Sequence, residues 1–325
     1  MTAEGTPVFT QRDVAELLDV DACIDAVEDA FRLHARGRSI APGVLGVHVD
    51  GGGFHVKTAG LLRGDCPYFA AKVNANFPGN PARFGLPTIQ GVAVLFDAAD
   101  GRPLAIIDSG ELTSRRTAAA TAVAARHLAR PDSQVLTVVG CGGQARDQLR
   151  AVARVLPLRR VLAVDLDAAR AEEYAAAMRA ELGVDVRPMP DLAAAVGQSD
   201  VCVTCTTSRR AILGREHVRA GTFVAAVGAD NPQKQEIEPA LLATSTVVVD
   251  VLEQCATIGD LYHALAAGVM TRADVHAELA DVVVGARPGR TSQDEIIVFD
   301  STGTALQDVA AAVVVYERAV KRGRA

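Results

Sequence analysis

The sequence predicts an α/β protein in two parts, a strand-rich α+β part followed by a doubly wound parallel sheet. Three observations predict it. Between residues 43 and 108, short apolar runs are broken by Gly, Pro, Asn and Asp, the pattern of strands joined by hairpin turns. From Ser133 onward, strand-like apolar runs alternate with helix-forming stretches, which implies parallel strands with helices on both faces. A glycine-rich turn, VVGCGGQA, stands where the first strand of that alternating part gives way to its first helix.

In order along the chain, Val14, Leu17, Leu18, Ile24, Val27, Ala30 and Phe31 recur at spacings of three and four, so an amphipathic helical opening is expected over Asp13 to His34. The runs GVLGVHV, GFHVKTAGL, YFAAKVNANF, GVAVLFD and LAIID follow as the strands of an antiparallel sheet. Glu111 to Ala129, rich in alanine and stopped by Pro131, reads as a helix on which the chain crosses from one domain to the next. Strand QVLTVVG then leads to helix QARDQLRAVARVL, and strand RVLAVDL to helix AARAEEYAAAMRAEL; further strands are expected at DVCVTC, GTFVAAVG, STVVVDV and EIIVFD. Ala305 to Arg318 has helical spacing and is expected to return to the first domain. The domains would then be residues 1–116 with 304–325, and residues 117–303.

Composition excludes several classes of function. At 325 residues the chain has room for about two domains. A net charge of −6 leaves no general footprint for nucleic acid, and 4% aromatics with no Trp leave few platforms for stacking bases. No run reaches the roughly 18 apolar residues of a membrane span, and the N-terminal stretch lacks the basic-then-apolar pattern of a secretory leader, so a cytoplasmic protein is expected. The six cysteines show no disulfide spacing. Cys202 and Cys205 have the spacing of a redox or half-zinc pair, but they sit in a β-branched run that reads as a buried strand, and nothing completes a metal site.

The turn Gly140, Gly142, Gly143, Gln144, Ala145 fits a pyrophosphate cradle of Rossmann type. Its first glycine permits the tight turn, its second lets phosphate approach the backbone, and the small Ala145 lets helix pack on sheet. Asp165 ends the next strand 20 residues beyond Ala145, where a carboxylate accepts hydrogen bonds from ribose hydroxyls and repels a 2′-phosphate. NAD(H) is therefore expected, although Arg159, Arg160 and Arg170 keep NADP(H) open. Asp165 could alternatively be a plain turn residue ahead of a helix capped by Asp167.

Ligands of parallel sheets bind beyond the carboxyl ends of the strands. Thr206 to Ser208, with Thr207 between them, Val227 with Gly228 to Pro232, and Asp300 to Gly303 occupy such ends. Asp230, ionisable, flanked by small residues and close before a proline, suits a general acid/base, or else a helix N-cap. In the first domain Lys57, Lys72 and Arg116 interrupt apolar segments; each either faces solvent or meets an anion such as a substrate carboxylate. His55 shares a strand face with Lys57 and could assist a proton transfer.

The ordered set FAAKVNANFPGNPARFGLPTIQGVAVLFDAADGRPLAIIDSGELTSRRTAAATAVAARHLAR, VVGCGGQAR, VGADNPQKQEI and FDSTGTALQDVAAA resembles the ornithine cyclodeaminase and μ-crystallin family, which includes archaeal-type alanine dehydrogenases and ketimine reductases. The resemblance implies that Lys72 and Arg116 hold the substrate carboxylate and that Asp230 is the acid/base acting on the substrate nitrogen or water, with Lys234 nearby. It further implies that Asp165 serves NAD and that Thr117 and Ser301 contact phosphate or nicotinamide. Two departures stand out. The stretch APGVLGVHV lacks an arginine that relatives carry, and His55 stands where ornithine-cyclising members have a glutamate, which argues against a side-chain ammonium as ligand. The expected activity is NAD(H)-dependent oxidoreduction at the C–N bond of a small amino acid or its imine, with keto acids as possible partners and a homodimer formed through the first domain's sheet. The competing expectations are a redox-neutral cyclodeaminase, a μ-crystallin-like dinucleotide-binding protein, and a sensor using Cys202 and Cys205.

Overall fold

The computed structural model describes residues 5–64 and 66–325. They form two compact units, Met1–Arg116 with Thr304–Ala325, and Thr117–Gly303.

The first unit begins with β1 (Val8–Phe9), α1 (Gln11–Leu17) and α2 (Val20–Ala35). The helical opening expected from the apolar stripe is built from two helices. Thr10 and Asp13 form a capping box at the start of α1, and the Asp19 carboxylate accepts from Ala22 N at 2.8 Å to start α2. Leu17 and Leu18 are both fully buried, so the apolar stripe runs on through the break and periodicity alone does not reveal it. Strands β2 (Ser39–Val49), β3 (Gly52–Arg63) and β4 (Cys66–Asn76) follow. Then come a short helix α3 (Asn80–Phe84), β5 (Ile89–Asp97) and β6 (Pro103–Asp108). The sheet order is β1-β6-β5-β4-β3-β2, antiparallel except for the unexpected edge pairing of β1 parallel to β6. Gly51, at φ 79°, supplies the left-handed turn residue between β2 and β3.

Register decides what this sheet presents. Lys57 pairs with Lys72 and Lys72 with Ala93; His55 pairs with Asn74. Directly opposed residues share a face, so His55, Lys57, Lys72 and Asn74 lie together on the face that also buries Ala59, Ala70, Ala93 and Leu95. The C-terminal helix, Ala305–Lys321, packs against β3 and β4; it is buried from Ala305 through Val313. The opposite face carries a row of paired apolar residues, Leu45, Val56, Val73 and Val92, of which Leu45, Val73 and Val92 are exposed.

Helix α4 (Ser109–Leu128) contains the boundary between the units, and its alanines 118–120, 122, 124 and 125 are buried. The second unit runs β7 (Val135–Val139), α5 (Gly143–Val155), β8 (Arg160–Val164), α6 (Ala168–Leu182) and β9 (Asp185–Pro188). It continues with α7 (Leu192–Val196), β10 (Val201–Thr204), β11 (Arg209–Leu213), β12 (Phe223–Ala226), β13 (Gln235–Ile237), α8 (Pro239–Ala243) and β14 (Thr246–Val249). It closes with α9 (Leu252–Ile258), α10 (Asp260–Ala266), β15 (Ala277–Glu278), α11 (Leu279–Val283) and β16 (Ile297–Asp300). Eight strands pair in parallel in the order β15-β14-β16-β12-β10-β7-β8-β9. From the β9 edge inward this is the doubly wound order, reversing between β7 and β10, and that is where such sheets hold ligands. A separate parallel pair, β11 with β13, was not expected: each strand is a few residues long and carries no clear alternation. Among the described residues no helix is long and apolar enough to cross a membrane.

Candidate functional site

In the second unit the glycine turn lies at the reversal point. Gly140 has φ 89°, and a Cβ there would stand 2.8 Å from Thr206 Cγ2, so both backbone and space require glycine. Gly142 is the N-cap of α5 and has no side-chain cap; a Cβ on Gly142 or Gly143 would meet nothing within 4 Å. The helix therefore opens on free space with its N–H end forward, a cradle that fits a pyrophosphate. Ala145 is fully buried, and its carbonyl accepts from Tyr174 Oη at 3.1 Å, which ties α5 to α6.

Asp165 follows β8, as expected, but it does more than end a strand. Its Oδ2 accepts from Cys141 N at 2.7 Å and its Oδ1 from Asp167 N at 2.9 Å. The acid thus braces the glycine turn while Asp167 caps α6. Arg170 stands 3.7 Å from Asp165, a long pairing from an exposed side chain. Of the other strand-end candidates, Thr206 and Val227 are half-buried, Thr207 is exposed, and Ser301 is buried with its hydroxyl donating to Asp250 at 3.2 Å. Thr117, buried, lies on α4.

Asp230 sits in a turn after β12. No helix begins there, so the N-cap alternative does not hold. Its Oδ1 is 2.7 Å from Lys234 Nζ and accepts from Asn231 Nδ2 at 3.1 Å, with its side chain 30% exposed. A partly open carboxylate, oriented by two neighbours, is placed to exchange protons with a ligand.

In the first unit the structure brings Lys72 and Arg116 together around an acid that sequence reasoning missed. Lys72 Nζ and Arg116 Nε each lie 2.7 Å from Asp308 Oδ1, while Arg116 Nη1 donates to Gln307 Oε1 at 2.7 Å. Lys57, Lys72 and Arg116 are all buried, which corrects the solvent-facing alternative: the anion that Lys72 and Arg116 meet is Asp308. Burial, then Arg116, pushes the Lys72 ammonium down to about 7, with Lys57 adding to the effect and Asp308 opposing it. Burial alone would raise the Asp308 carboxyl; Arg116 and Lys72 outweigh it and hold it below the usual carboxylate range. Thr113 accepts from Lys72 at 3.3 Å and from Asn74 at 3.4 Å, and Asn74 accepts from Ser109 at 2.6 Å. His55 shares the sheet face of Lys57. The only sequence signal for Asp308 was an acid directly before the wholly apolar run Val309–Val315 of a helix.

Cys202 is buried in β10, and Cys205 lies just past its end, half-buried. Cys202 and Cys205 are free, and burial, with the charge of Glu236 next, pushes both thiols up, the reverse of a reactive pair.

The model of the ornithine cyclodeaminase/mu-crystallin family matches residues 5–323. The alanine dehydrogenase of Archaeoglobus fulgidus is 38% identical over 317 residues, covering 98% of this chain and 96% of that protein. An archaeal alanine dehydrogenase dimer with bound NAD superposes with a TM-score of 0.93 at 38% identity, covering 98% of this chain and 97% of the other. The Δ1-pyrroline-2-carboxylate reductase of Thermococcus litoralis, in complex with NADH and L-proline, superposes with a TM-score of 0.94 at 30% identity and covers 98% of both chains.

Proposed function

The chain belongs to the ornithine cyclodeaminase/mu-crystallin family, and from that premise we propose that it is an NAD(H)-dependent oxidoreductase acting on the C–N bond of a small L-amino acid or its imine. The observation that carries the reading is that two buried cations, Lys72 and Arg116, share one carboxylate oxygen of Asp308: one acid for two cations leaves positive charge kept from water, which favours an anionic ligand, and the substrate class supplies a carboxylate. The residues of the glycine turn and Asp165 would hold the dinucleotide, with Thr117, Thr206, Thr207, Val227 and Ser301 contributing further contacts. When bound, NAD(H) supplies or accepts the hydride at nicotinamide C4. Lys72 and Arg116 fix the substrate carboxylate, and with it the orientation of Cα. Asp230, held by Lys234, passes a proton to the imine nitrogen in reduction and takes one from water or ammonium in the oxidative direction. His55 and Lys57, on the same sheet face as Lys72, adjust the polarity around the substrate. We assign substrate binding and dimerisation to the first unit and dinucleotide binding to the second; the row Leu45, Val56, Val73 and Val92 supplies the apolar surface for a homodimer. The free cysteines agree with a reducing, cytoplasmic setting.

A panel assay tests the reading. NAD with small amino acids, and NADH with keto acids plus ammonia or with cyclic imines, are followed by nicotinamide absorbance while ammonia is measured separately. The reading expects an absorbance change in at least one direction; ammonia release with a flat trace would identify a redox-neutral cyclodeaminase instead.

A substrate carboxylate beside Lys72 pulls its depressed pKa, about 7, back up, so binding above that pH takes up a proton. Affinity for a competing small carboxylate therefore weakens as pH rises from 7 to 9, by at most about tenfold per unit; inhibition constants that stay flat over this range would contradict the assignment. Asp165→Ala separates two roles. Loss of the brace on Cys141 N weakens NADH and NADPH alike, whereas loss of the ribose acceptor weakens NADH alone, by about 10- to 100-fold. The readout is the dissociation constant of NADPH divided by that of NADH, and it should fall.

A further inference from the structure

Glu236 is fully buried in β13 and no cation pairs with it among its hydrogen-bond partners. Its two carboxylate oxygens accept three hydrogen bonds: Oε1 from Thr206 N at 2.6 Å, Oε2 from Thr204 Oγ1 at 2.7 Å and from Gly228 N at 2.8 Å. Thr204 and Thr206 belong to the end of β10, and Gly228 to the turn after β12 that carries Asp230. β10 and β12 pair in regular register up to Thr204 with Ala226, and the carboxylate ties together the two segments that run on beyond that last pair.

The same short segment grips that turn twice. Lys234, two residues before Glu236, pairs with Asp230 Oδ1 at 2.7 Å, and Glu236 holds Gly228. The segment is in turn anchored on α10. Asp260 Oδ1 accepts from Glu236 N at 2.7 Å and from Ile237 N at 2.9 Å, and the His263 ring lies 2.8 Å from the Lys234 carbonyl oxygen. Asp300, at the end of β16, accepts from Asp260 N at 3.3 Å and Leu261 N at 2.9 Å. Two glycines leave room for these acids: a Cβ on Gly228 would meet the Glu236 carboxylate at 2.5 Å, and one on Gly259 would meet Asp300 Oδ2 at 2.5 Å. A buried carboxylate without a cation is costly, and three donors on one group are the compensation that makes it tolerable.

We propose that Glu236 is a positioning residue for the reaction, its carboxylate joining the strand ends after β10 and β12 and so setting the place of Asp230, with Asp260 and Asp300 holding Glu236 from behind. The proposal rests on the role given to Asp230 above. Glutamine keeps the volume of Glu236 but offers a single acceptor oxygen, so its NH2 must face one of the donors it replaces. A displacement of about 1 Å at the reacting group costs on the order of 10²-fold in rate.

The experiment is a double-mutant cycle. Glu236→Gln, Asp230→Asn and the double variant are compared with the wild type by kcat, by KM for the imine, and by NADH dissociation constant. Glu236→Gln is expected to lower kcat by about 10²-fold with KM changed far less, and to have almost no further effect in the Asp230→Asn background, because it acts through Asp230. An additive loss in the double variant, or a wild-type kcat for Glu236→Gln beside an inactive Asp230→Asn, overturns the positioning role and leaves the functional reading intact. A wild-type kcat for Asp230→Asn overturns that reading and the proposal with it. Should Glu236→Gln fail to fold, amide exchange in the wild-type protein decides: the Thr206 and Gly228 amides are expected to exchange at least about 10²-fold more slowly than unfolded-chain amides, and unprotected exchange at both overturns the proposal.

Discussion

Replacing Asp230 with asparagine cuts turnover by about 10²- to 10⁴-fold while NADH binding survives. The substitution preserves size and keeps an oxygen for the Asn231 amide, but it removes the group proposed to exchange a proton with the substrate nitrogen. The ion pair with Lys234 is also lost. That pair is partly open to solvent, so its contribution to stability is within about 1 kcal/mol and the fold persists. Steady-state kcat and NADH fluorescence, measured on the same preparation, separate the two effects. Turnover near the wild-type rate removes Asp230 from the chemistry.

Asp308→Ala has the largest expected effect on stability. The carboxylate is fully buried and receives two cations that are themselves almost wholly buried, so its removal leaves Lys72 and Arg116 without their counter-ion. Breaking such a cluster costs about 3–5 kcal/mol. Lys72→Met should cost less, because the Arg116–Asp308 pair remains and the methionine fills most of the space. Urea midpoints for the two variants give the comparison. If Asp308→Ala is as stable as the wild type, the cations are not held by Asp308 and the account of the cluster fails. A lower substrate affinity in Asp308→Ala is expected as well, since Asp308 orients both groups proposed to bind the substrate carboxylate.

The parallel sheet was readable because its strands are buried on both faces and appear as unbroken apolar runs, each ended by the small or polar residues that mark a ligand-facing edge. That rule singled out Thr206 and Asp230 as strand-end candidates, and Asp165 was placed by its spacing from the glycine turn. The first sheet was also legible, down to the shared face of His55 and Lys57, because the period of two survives in β3 and β4. Asp308 was not legible. It meets Lys72 across 236 residues of sequence, and no local pattern records a contact of that range. Glu236 was hidden for a related reason: β13 is three residues long, so nothing local distinguishes a buried acid there from a surface one. The break at Asp19 had a local signal, an N-cap acid, but the apolar stripe running through Leu17 and Leu18 masked it.

The central claim is that hydride passes between nicotinamide C4 and the substrate Cα. NADH carrying deuterium at both C4 positions is supplied with the imine, or with keto acid and ammonia, that is reduced fastest, and the amino-acid product is analysed by mass spectrometry and proton NMR. The account predicts one deuterium per molecule, located at Cα, in step with NADH consumed. Product formed without label at Cα, or ammonia released with the labelled NADH unchanged, would contradict it.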